Sequence, residues 1–123
     1  MESTTKELKK IILVDDDEDL LYTFNYWLMS KGFTTIALTD PDGLNSYIDN
    51  FHPSLILMDI HLKGKDGRDV CRYVKRDLHY NRPVVLFSSH DYSEADYKSS
   101  LADGFFQKTS DHLSMIHYIS RFL

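Results

Sequence analysis

The sequence predicts an α/β fold in which a five-stranded parallel sheet is covered by helices on both faces. Short apolar runs alternate along the chain with longer stretches in which apolar residues recur at helical spacing. Parallel strands need crossover connections, so this alternation favours a parallel sheet over a set of hairpins. The chain has 123 residues, of which 42% are hydrophobic and 27% charged, which suits one folded domain and argues against disorder.

The first half of the chain contains two strand–helix units. They are predicted as a strand at 11–14, a helix at 18–31, a strand at 33–38 and a helix at about 41–51. The first strand is an uninterrupted apolar run, and β-branched residues favour the second. Gly32 stops the first helix, while Asp40 and Pro41 supply an N-cap and a first helical position for the second. Pro53 ends that helix.

The second half contains three further units. They are predicted as a strand at 55–58, a helix at about 68–78, a strand at 84–87, a helix from a cap at Asp91 or Ser93 to about Ala102, a strand at 105–106, and a helix from a cap at Ser110 to Leu123. Gly64 and Gly67 mark the loop before the first of these helices. Val70, Val74 and Leu78 lie on one side of that helix.

Polar residues follow four of the five predicted strands. They are Asp15, Asp16 and Asp17 after the first strand, Asp59 after the third, Ser88 and Ser89 after the fourth, and Lys108 after the fifth. The carboxyl ends of parallel strands lie at one edge of a sheet, so these groups are predicted to share one crevice. An acid after a strand is commonly a helix cap, and a single lysine or serine indicates nothing. The prediction depends on their joint placement.

This set of groups suits phosphoryl chemistry. Packed carboxylates need a counter-charge, and Mg²⁺ prefers carboxylate and carbonyl oxygens as ligands. A carboxylate can act as a nucleophile and form an aspartyl phosphate. Lys108 can neutralise charge on the phosphoryl oxygens, and Ser88 can donate a hydrogen bond to them.

Composition excludes several classes of protein. A net charge of −5 argues against direct nucleic-acid binding, and the apolar runs are far shorter than the about 20 residues that span a membrane. Cys71 is the single cysteine, so no internal disulfide is possible, and it is predicted to be a small buried residue. No signal peptide is visible in the polar leader at 1–7. A cytoplasmic domain over 8–123 is therefore expected.

Four short motifs stand in a characteristic order. They are the run from Ile11 to Asp17, the run from Leu55 to Asp59 with Asp66-Gly67 seven residues on, Pro83 to Ser88, and Ala102 to Lys108. Each is weak alone, but together they are highly specific. The chain resembles the receiver domain of two-component response regulators over about residues 8–123. The resemblance implies a flavodoxin-like, doubly wound sheet with strand order 2-1-3-4-5 and five helices.

The resemblance also implies where phosphate and metal bind. Asp59 would accept a phosphoryl group from a phosphohistidine on a sensor histidine kinase or a phosphotransfer domain. Asp16 would ligate Mg²⁺, with Mn²⁺ as an alternative, directly, and Asp15 largely through water. Asp59 and the backbone carbonyl of His61 would complete the protein ligands.

The remaining implied roles concern signalling. Lys108 and Ser88 would contact the phosphoryl group, and Ser88 and Phe105 would act as switch residues. The last two helices and the strand between them would shift and present a changed surface to a downstream protein target. The chain would then be a phosphoprotein of a phosphorelay and no enzyme beyond its own phosphorylation and dephosphorylation.

The sequence departs from the family pattern in two loops. Lys63 stands where the family usually has proline, so a looser loop after Asp59 is expected. Thr109 follows Lys108 where the family again has proline, often with a cis bond. A cis bond before another residue costs about 2.5–4 kcal/mol, so a trans or visibly strained bond is expected here.

Two histidines follow site residues by two positions. His61 follows Asp59 and His90 follows Ser88. In the family these positions flank the phosphoryl group and tune its loss to water. We therefore hypothesise that the two imidazoles tune the phosphate lifetime and make it depend on pH, the alternative being that both are solvated loop residues.

The final helix has two apolar stripes. Leu113, Ile116, Ile119 and Leu123 form the first, and Met115, Tyr118 and Phe122 form the second. Together they cover an arc of roughly 220°, wider than a surface helix needs. The second stripe is predicted either to belong to a broad core face or to form a partner surface, including a phosphorylation-dependent homodimer.

Two other functions stay open from sequence. A haloacid-dehalogenase-like phosphatase also begins with an apolar strand and Asp-x-Asp, which would make Asp15 the nucleophile. Against it, Asp19 stands where that family favours Thr or Val, and no acidic pair follows the last strand. A receiver-like binding module that works without phosphate is permitted by the missing prolines.

Overall fold

The computed structural model describes residues 9–108 and 111–123, with only the backbone of 94 and 95. Its elements are β1 (Lys10–Val14), α1 (Glu18–Ser30), β2 (Thr34–Leu38), α2 (Leu44–Phe51), β3 (Leu55–Asp59), β4 (His61–Leu62), β5 (Lys65–Asp66), α3 (Gly67–Arg76), β6 (Val84–Ser88), α4 (Glu94–Lys98), β7 (Gly104–Gln107) and α5 (His112–Ser120). The predicted leader and the boundary at residue 8 lie outside the described residues.

The main sheet has five parallel strands in the order β2-β1-β3-β6-β7. Counted along the chain without the two short strands, this is the order 2-1-3-4-5, which confirms the predicted fold class. The short strands β4 and β5 form an antiparallel hairpin between β3 and α3, which the sequence did not predict. Two-residue strands are too short to show a period, which is why no pattern pointed to them.

Alternate strand residues build two separate cores, one on each face of the sheet. Ile12, Ile56 and Leu86 lie on the face covered by α2 and α3. Ile11 and Leu57 lie on the opposite face, with buried side chains of α1 and α5. Strands β1, β3 and β6 are almost fully buried on both sides, so they fix the positions of the residues that follow them.

Three helices end two or more residues earlier than predicted, one of them α5, which stops at Ser120 rather than Leu123. α3 stops at Arg76 rather than Leu78, because the Leu78 amide closes onto the carbonyl of Tyr73 and His79 takes a left-handed φ of 56°. α4 stops at Lys98 rather than Ala102. There the chain turns through Leu101, which has a φ of 71°.

Caps decide where the later helices begin. Ser93, one of the two predicted caps, begins α4, and its hydroxyl accepts from the amide of Asp96. Asp111 caps α5, accepting from the amides of Leu113 and Ser114, whereas the predicted cap Ser110 lies outside the described residues. Among the described residues, no helix combines the length and the apolar character needed to cross a membrane.

The structure corrects the prediction for the final helix. Met115, which belongs to the second stripe with Tyr118 and Phe122, is only 3% exposed and packs in the core, whereas Leu113 of the first stripe is 57% exposed. Residues 115 and 119 are one helical turn apart and both face the sheet. Tyr118 and Phe122 are half-buried, and the Tyr118 hydroxyl accepts a hydrogen bond from the Phe105 amide at 3.0 Å. Met115, Tyr118 and Phe122 therefore do not form an exposed partner surface.

Candidate functional site: an acidic centre at the edge of the sheet

The carboxyl ends of four strands bring the predicted groups together. Asp15 follows β1, Asp59 ends β3, Ser88 ends β6 and Lys108 follows β7. The side chains of Asp15, Asp59 and Lys108 are 1%, 6% and 12% exposed. Three charged groups that lie far apart in sequence thus share one largely buried position.

Lys108 bridges the two buried carboxylates. Its Nζ lies 3.1 Å from Oδ2 of Asp15 and 3.1 Å from Oδ2 of Asp59. The same ammonium lies 4.9 Å from the centroid of the Phe87 ring. The backbone amide of Lys108 donates to the Ser88 carbonyl. Thr109 is outside the described residues, so the geometry of the Lys108–Thr109 bond stays a prediction.

Burial changes the acidity of Asp15. Loss of solvent around the carboxylate raises the pKa of Asp15 from 3.8 to about 6, and the negative charge of Asp59 adds to the rise. The Asp17 amide, which donates to Asp15 Oδ1 at 3.0 Å, and the Lys108 ammonium act in the opposite direction. One lysine does not fully compensate two buried carboxylates, so the centre has capacity for a further cation.

Three carboxylates can supply that cation with ligands. Asp15, Asp16 and Asp59 each offer an oxygen, and these oxygens lie within 4.8 Å of one another. Oxygens around an octahedral Mg²⁺ lie about 2.9–4.1 Å apart, given bonds of about 2.0–2.1 Å, so a small closure of the three side chains suffices. Asp16 is more open to solvent than the other two, which leaves room for the waters that Mg²⁺ retains. The donor set therefore fits a hard divalent cation.

The hairpin after β3 fixes Asp59 from the other side. The His61 amide donates to Asp59 Oδ1 at 3.1 Å, and the Gly67 amide donates to the Ile60 carbonyl at 2.7 Å. At Gly67 a Cβ atom would lie 2.2 Å from the backbone oxygen of Asp59, so no other residue fits there without moving the backbone. Gly67, half of the Asp66-Gly67 motif, is required by this close approach.

Ser88 and Phe105 lie on neighbouring strands. Ser88 is fully buried, and its Oγ accepts from the His90 amide at 3.0 Å, so the hydroxyl hydrogen is the group it can donate. Phe105 is half-buried, with its ring stacked on Tyr97 at 5.3 Å between centroids and edge-on to Tyr92 at 5.9 Å. The roles of both residues as switches stay predictions.

His61 and His90 meet at the mouth of the centre. Their ring centroids are 4.8 Å apart, and the Tyr92 hydroxyl lies 2.7 Å from His61 Nε2. Sequence reasoning missed Tyr92, because this contact joins residues 31 apart in two loops that have no repeating pattern. The one available signal was that both loops follow strands whose ends are adjacent in the sheet.

Asp17 has a structural role. Its side chain accepts from the Leu20 amide and caps α1. The second acid of the Asp-x-Asp pattern thus has a role as a helix cap, and the phosphatase interpretation stays a prediction that labelling tests.

Comparison with known proteins identifies the family of the chain. The response regulator receiver domain matches residues 11–120, which is most of the chain. The chain belongs to the response regulator receiver domain family.

Solved structures share the receiver fold. The chemotaxis protein CheY4 of Vibrio cholerae has a TM-score of 0.86 at 17% identity, covering 95% of this chain and 100% of that chain. The response regulator TrrA of Thermotoga maritima, solved in complex with Mg(2+)-BeF, has a TM-score of 0.84 at 17% identity, covering 94% and 100%. The BeF3-activated N-terminal receiver domain of Klebsiella pneumoniae RstA has a TM-score of 0.80 at 26% identity, covering 93% and 97%.

Proposed function

We propose that this receiver domain is a phosphoacceptor switch whose phosphorylated residue is Asp59. The observation that carries the proposal is the position of the Asp59 carboxylate. One of its oxygens lies 3.1 Å from Lys108 Nζ, and it offers an oxygen within 4.8 Å of carboxylate oxygens of Asp15 and Asp16. The proposed donor is a phosphohistidine on a sensor histidine kinase or a phosphotransfer domain. The proposed compartment is the cytoplasm.

The chemistry is a transfer between two nucleophiles. An Asp59 oxygen attacks the phosphorus, the phosphorus–nitrogen bond to the donor imidazole breaks, and the electron pair returns to that nitrogen. The Lys108 ammonium neutralises charge on the phosphoryl oxygens at a position where burial strengthens the interaction. Mg²⁺, or Mn²⁺, held by Asp15, Asp16, Asp59 and the His61 carbonyl, would supply the remaining positive charge. The chain's chemistry is limited to its own phosphorylation and dephosphorylation.

The response is a shift between two conformations. The Ser88 hydroxyl moves to donate a hydrogen bond to a phosphoryl oxygen. This movement draws the segment after β6 inward and alters the packing around Phe105. Because these contacts differ between the two states, phosphate biases their populations. The surface formed by α4, β7 and α5 then presents itself to a downstream protein target or to a second copy of the chain.

The phosphate lifetime depends on the residues at the mouth of the centre. His61 and His90 are exposed and lie against each other beside the site, and their proposed role is to limit the access of water to the phosphorus. Replacing either by alanine is expected to change the half-life of the aspartyl phosphate without removing the site.

The test is labelling with acetyl phosphate and Mg²⁺, followed by intact-mass measurement and mapping of the acyl phosphate. Wild type and an Asp15→Asn variant are expected to carry the label on Asp59, with slower labelling of the variant. Asp59→Asn is expected to carry none, and chelation of Mg²⁺ is expected to prevent labelling of the wild type. Label on Asp15 instead would support the phosphatase interpretation. A wild type that takes no label would favour the alternative of a receiver-like binding module that works without phosphate.

The dimer prediction has a separate measurement. Sedimentation with and without beryllofluoride and Mg²⁺ reports whether the mass of the particle doubles when the phosphate mimic binds. Asp59→Asn is the control, because it lacks the carboxylate to which beryllofluoride would bind.

A further inference from the structure

Three rings join the two loops on either side of the phosphoacceptor. His61 lies two residues after Asp59, and His90 and Tyr92 lie in the segment between β6 and α4. The His61 ring centroid is 4.8 Å from that of His90 and 5.8 Å from that of Tyr92. The Tyr92 hydroxyl and His61 Nε2, 2.7 Å apart, form a side-chain hydrogen bond between the loops.

The Tyr92 ring is itself held on two sides. The guanidinium carbon of Arg68 lies 5.1 Å from its centroid, and Phe105 meets it at an interplanar angle of 81°. Arg68 is fixed by two hydrogen bonds to the Asp66 carboxylate, of 3.0 Å from Nε and 2.7 Å from Nη2. The Tyr92 hydroxyl is therefore presented to His61 from a position set by α3 and β7.

The backbone of each histidine is tied to the reacting side of the site. The His61 amide donates to the Asp59 carboxylate, and the His90 amide donates to the Ser88 hydroxyl. With its backbone fixed, the His61 ring can still rotate about its own side-chain bonds, because it is exposed. The hydrogen bond to Tyr92 selects one of these orientations.

We propose that Tyr92 is a positioning residue that holds the His61 imidazole against His90 across the mouth of the phosphoacceptor site. The inference rests on the proposed phosphorylation of Asp59 and concerns how that site limits hydrolysis. Held in this orientation, the two imidazoles occupy the approach that water needs to reach the phosphorus. Without the Tyr92 hydroxyl, the His61 ring moves among its rotamers and the approach opens.

Tyr92→Phe isolates the hydroxyl, because the ring contacts with Arg68 and Phe105 remain. The half-life of the aspartyl phosphate is measured after removal of the phosphodonor at constant pH. It is expected to shorten about fivefold, the change that loss of one neutral hydrogen bond of about 1 kcal/mol gives. Tyr73→Phe, which removes a hydroxyl from an exposed residue of α3, is expected to leave the half-life unchanged.

Two further measurements separate positioning from a general structural effect. In a His61→Ala background, Tyr92→Phe is expected to have no further effect on the half-life, because the partner of the hydroxyl is gone. The ¹⁵N resonance of His61 Nε2 is expected to shift in Tyr92→Phe even without phosphate. An unchanged half-life in Tyr92→Phe, or an equal shortening in the His61→Ala background, would overturn the inference.

Labelling of the wild type tests the proposed function separately from the positioning role of Tyr92. A wild type that takes label on Asp59 while Tyr92→Phe keeps its half-life contradicts the positioning role alone. A wild type that takes no label on Asp59 contradicts the proposed function, and the positioning role fails with it.

Discussion

The acidic centre and the α4 segment lie at adjacent parts of the same sheet edge, but they are held in different ways. Asp15 and Asp59 of the centre lie at the ends of strands that are buried on both faces, and both contact Lys108 directly. α4 has five residues, begins after an exposed loop and ends near Leu101, which is 43% exposed. Short helices with few buried contacts open most easily. The charged groups of the centre are thus fixed, while α4, the segment proposed to respond, is held more weakly.

The largest loss of stability is expected for a substitution at Gly67, which packs against the backbone of Asp59 in the acidic centre. Gly67→Ala places a Cβ 2.2 Å from the backbone oxygen of Asp59, and neither atom can rotate away, because the position of a Cβ is fixed by its own backbone and the oxygen belongs to the backbone of Asp59. We expect the free energy of unfolding to fall by about 3 kcal/mol, measured by urea denaturation.

Gly64→Ala is the matched control for this prediction. Gly64 has a φ of +74° and open space around its missing Cβ, so only backbone strain of about 1 kcal/mol is expected. Equal losses at the two positions would contradict the steric explanation for Gly67.

A smaller effect of opposite sign is expected at Asp15. Burial raises the pKa of Asp15 to about 6, above the 3.8 of the unfolded chain. The folded state therefore binds this proton more tightly than the unfolded state, and stability falls as pH rises from about 4 to about 6. Asp15→Asn is expected to stabilise the metal-free protein at pH 7 by on the order of 1–3 kcal/mol.

The sign is checked by urea denaturation across that pH range in metal-free buffer. The advantage of Asp15→Asn is expected to shrink towards pH 4, where the folded wild type keeps this carboxyl protonated. Asp49→Asn on the exposed side of α2 is the control and should change little at any pH. A constant gain for Asp15→Asn from pH 4 to pH 7 would contradict the explanation.

The fixed side was easier to predict from the sequence than the weakly held side. Buried strands appear as uninterrupted apolar runs, so Asp15 and Asp59, which follow two of them, could be placed together from the order of the strands. Lys108 could be added because it follows the last predicted strand. Cys71 was also predicted correctly as buried, and burial raises the pKa of its thiol to about 12.

The errors lie where tertiary contacts override local pattern. The β4–β5 hairpin is too short to have a period, and α4 was predicted to be longer than it is. The pattern did not show that Met115 is buried and Leu113 exposed, because an apolar arc of roughly 220° does not reveal which part of it faces the sheet. The contact between Tyr92 and His61 depends on how two loops approach, which no local pattern records.

The cap at Ser93 is expected to limit how often α4 opens. The Ser93 amide and hydroxyl both donate to Asp96, and these hydrogen bonds lower the pKa of the Asp96 carboxyl. Ser93→Ala removes the cap, so amide exchange in α4 is expected to accelerate about fivefold. Amides of α1 and α3 serve as internal controls and should keep their rates. Uniform acceleration throughout the protein would show that α4 does not open separately.

The smallest effect is expected at the junction of β7 and α5. Tyr118→Phe removes the hydroxyl that accepts from the Phe105 amide but keeps the ring contacts with Phe106 and Phe122. We expect a loss of about 0.5–1 kcal/mol in the free energy of unfolding. A loss above that of Gly67→Ala would reverse the comparison between the two regions.

The Tyr118 hydroxyl has a consequence for how copies of this domain meet. β7 is the last strand of the sheet, and the free amides of an outermost strand are templates on which another chain can polymerise. At Phe105 that amide is already engaged by α5. For a strand of another molecule to pair with β7 at this position, the hydrogen bond between the Phe105 amide and the Tyr118 hydroxyl would have to break. The contact with α5 therefore disfavours fibrillar association through this edge of the sheet.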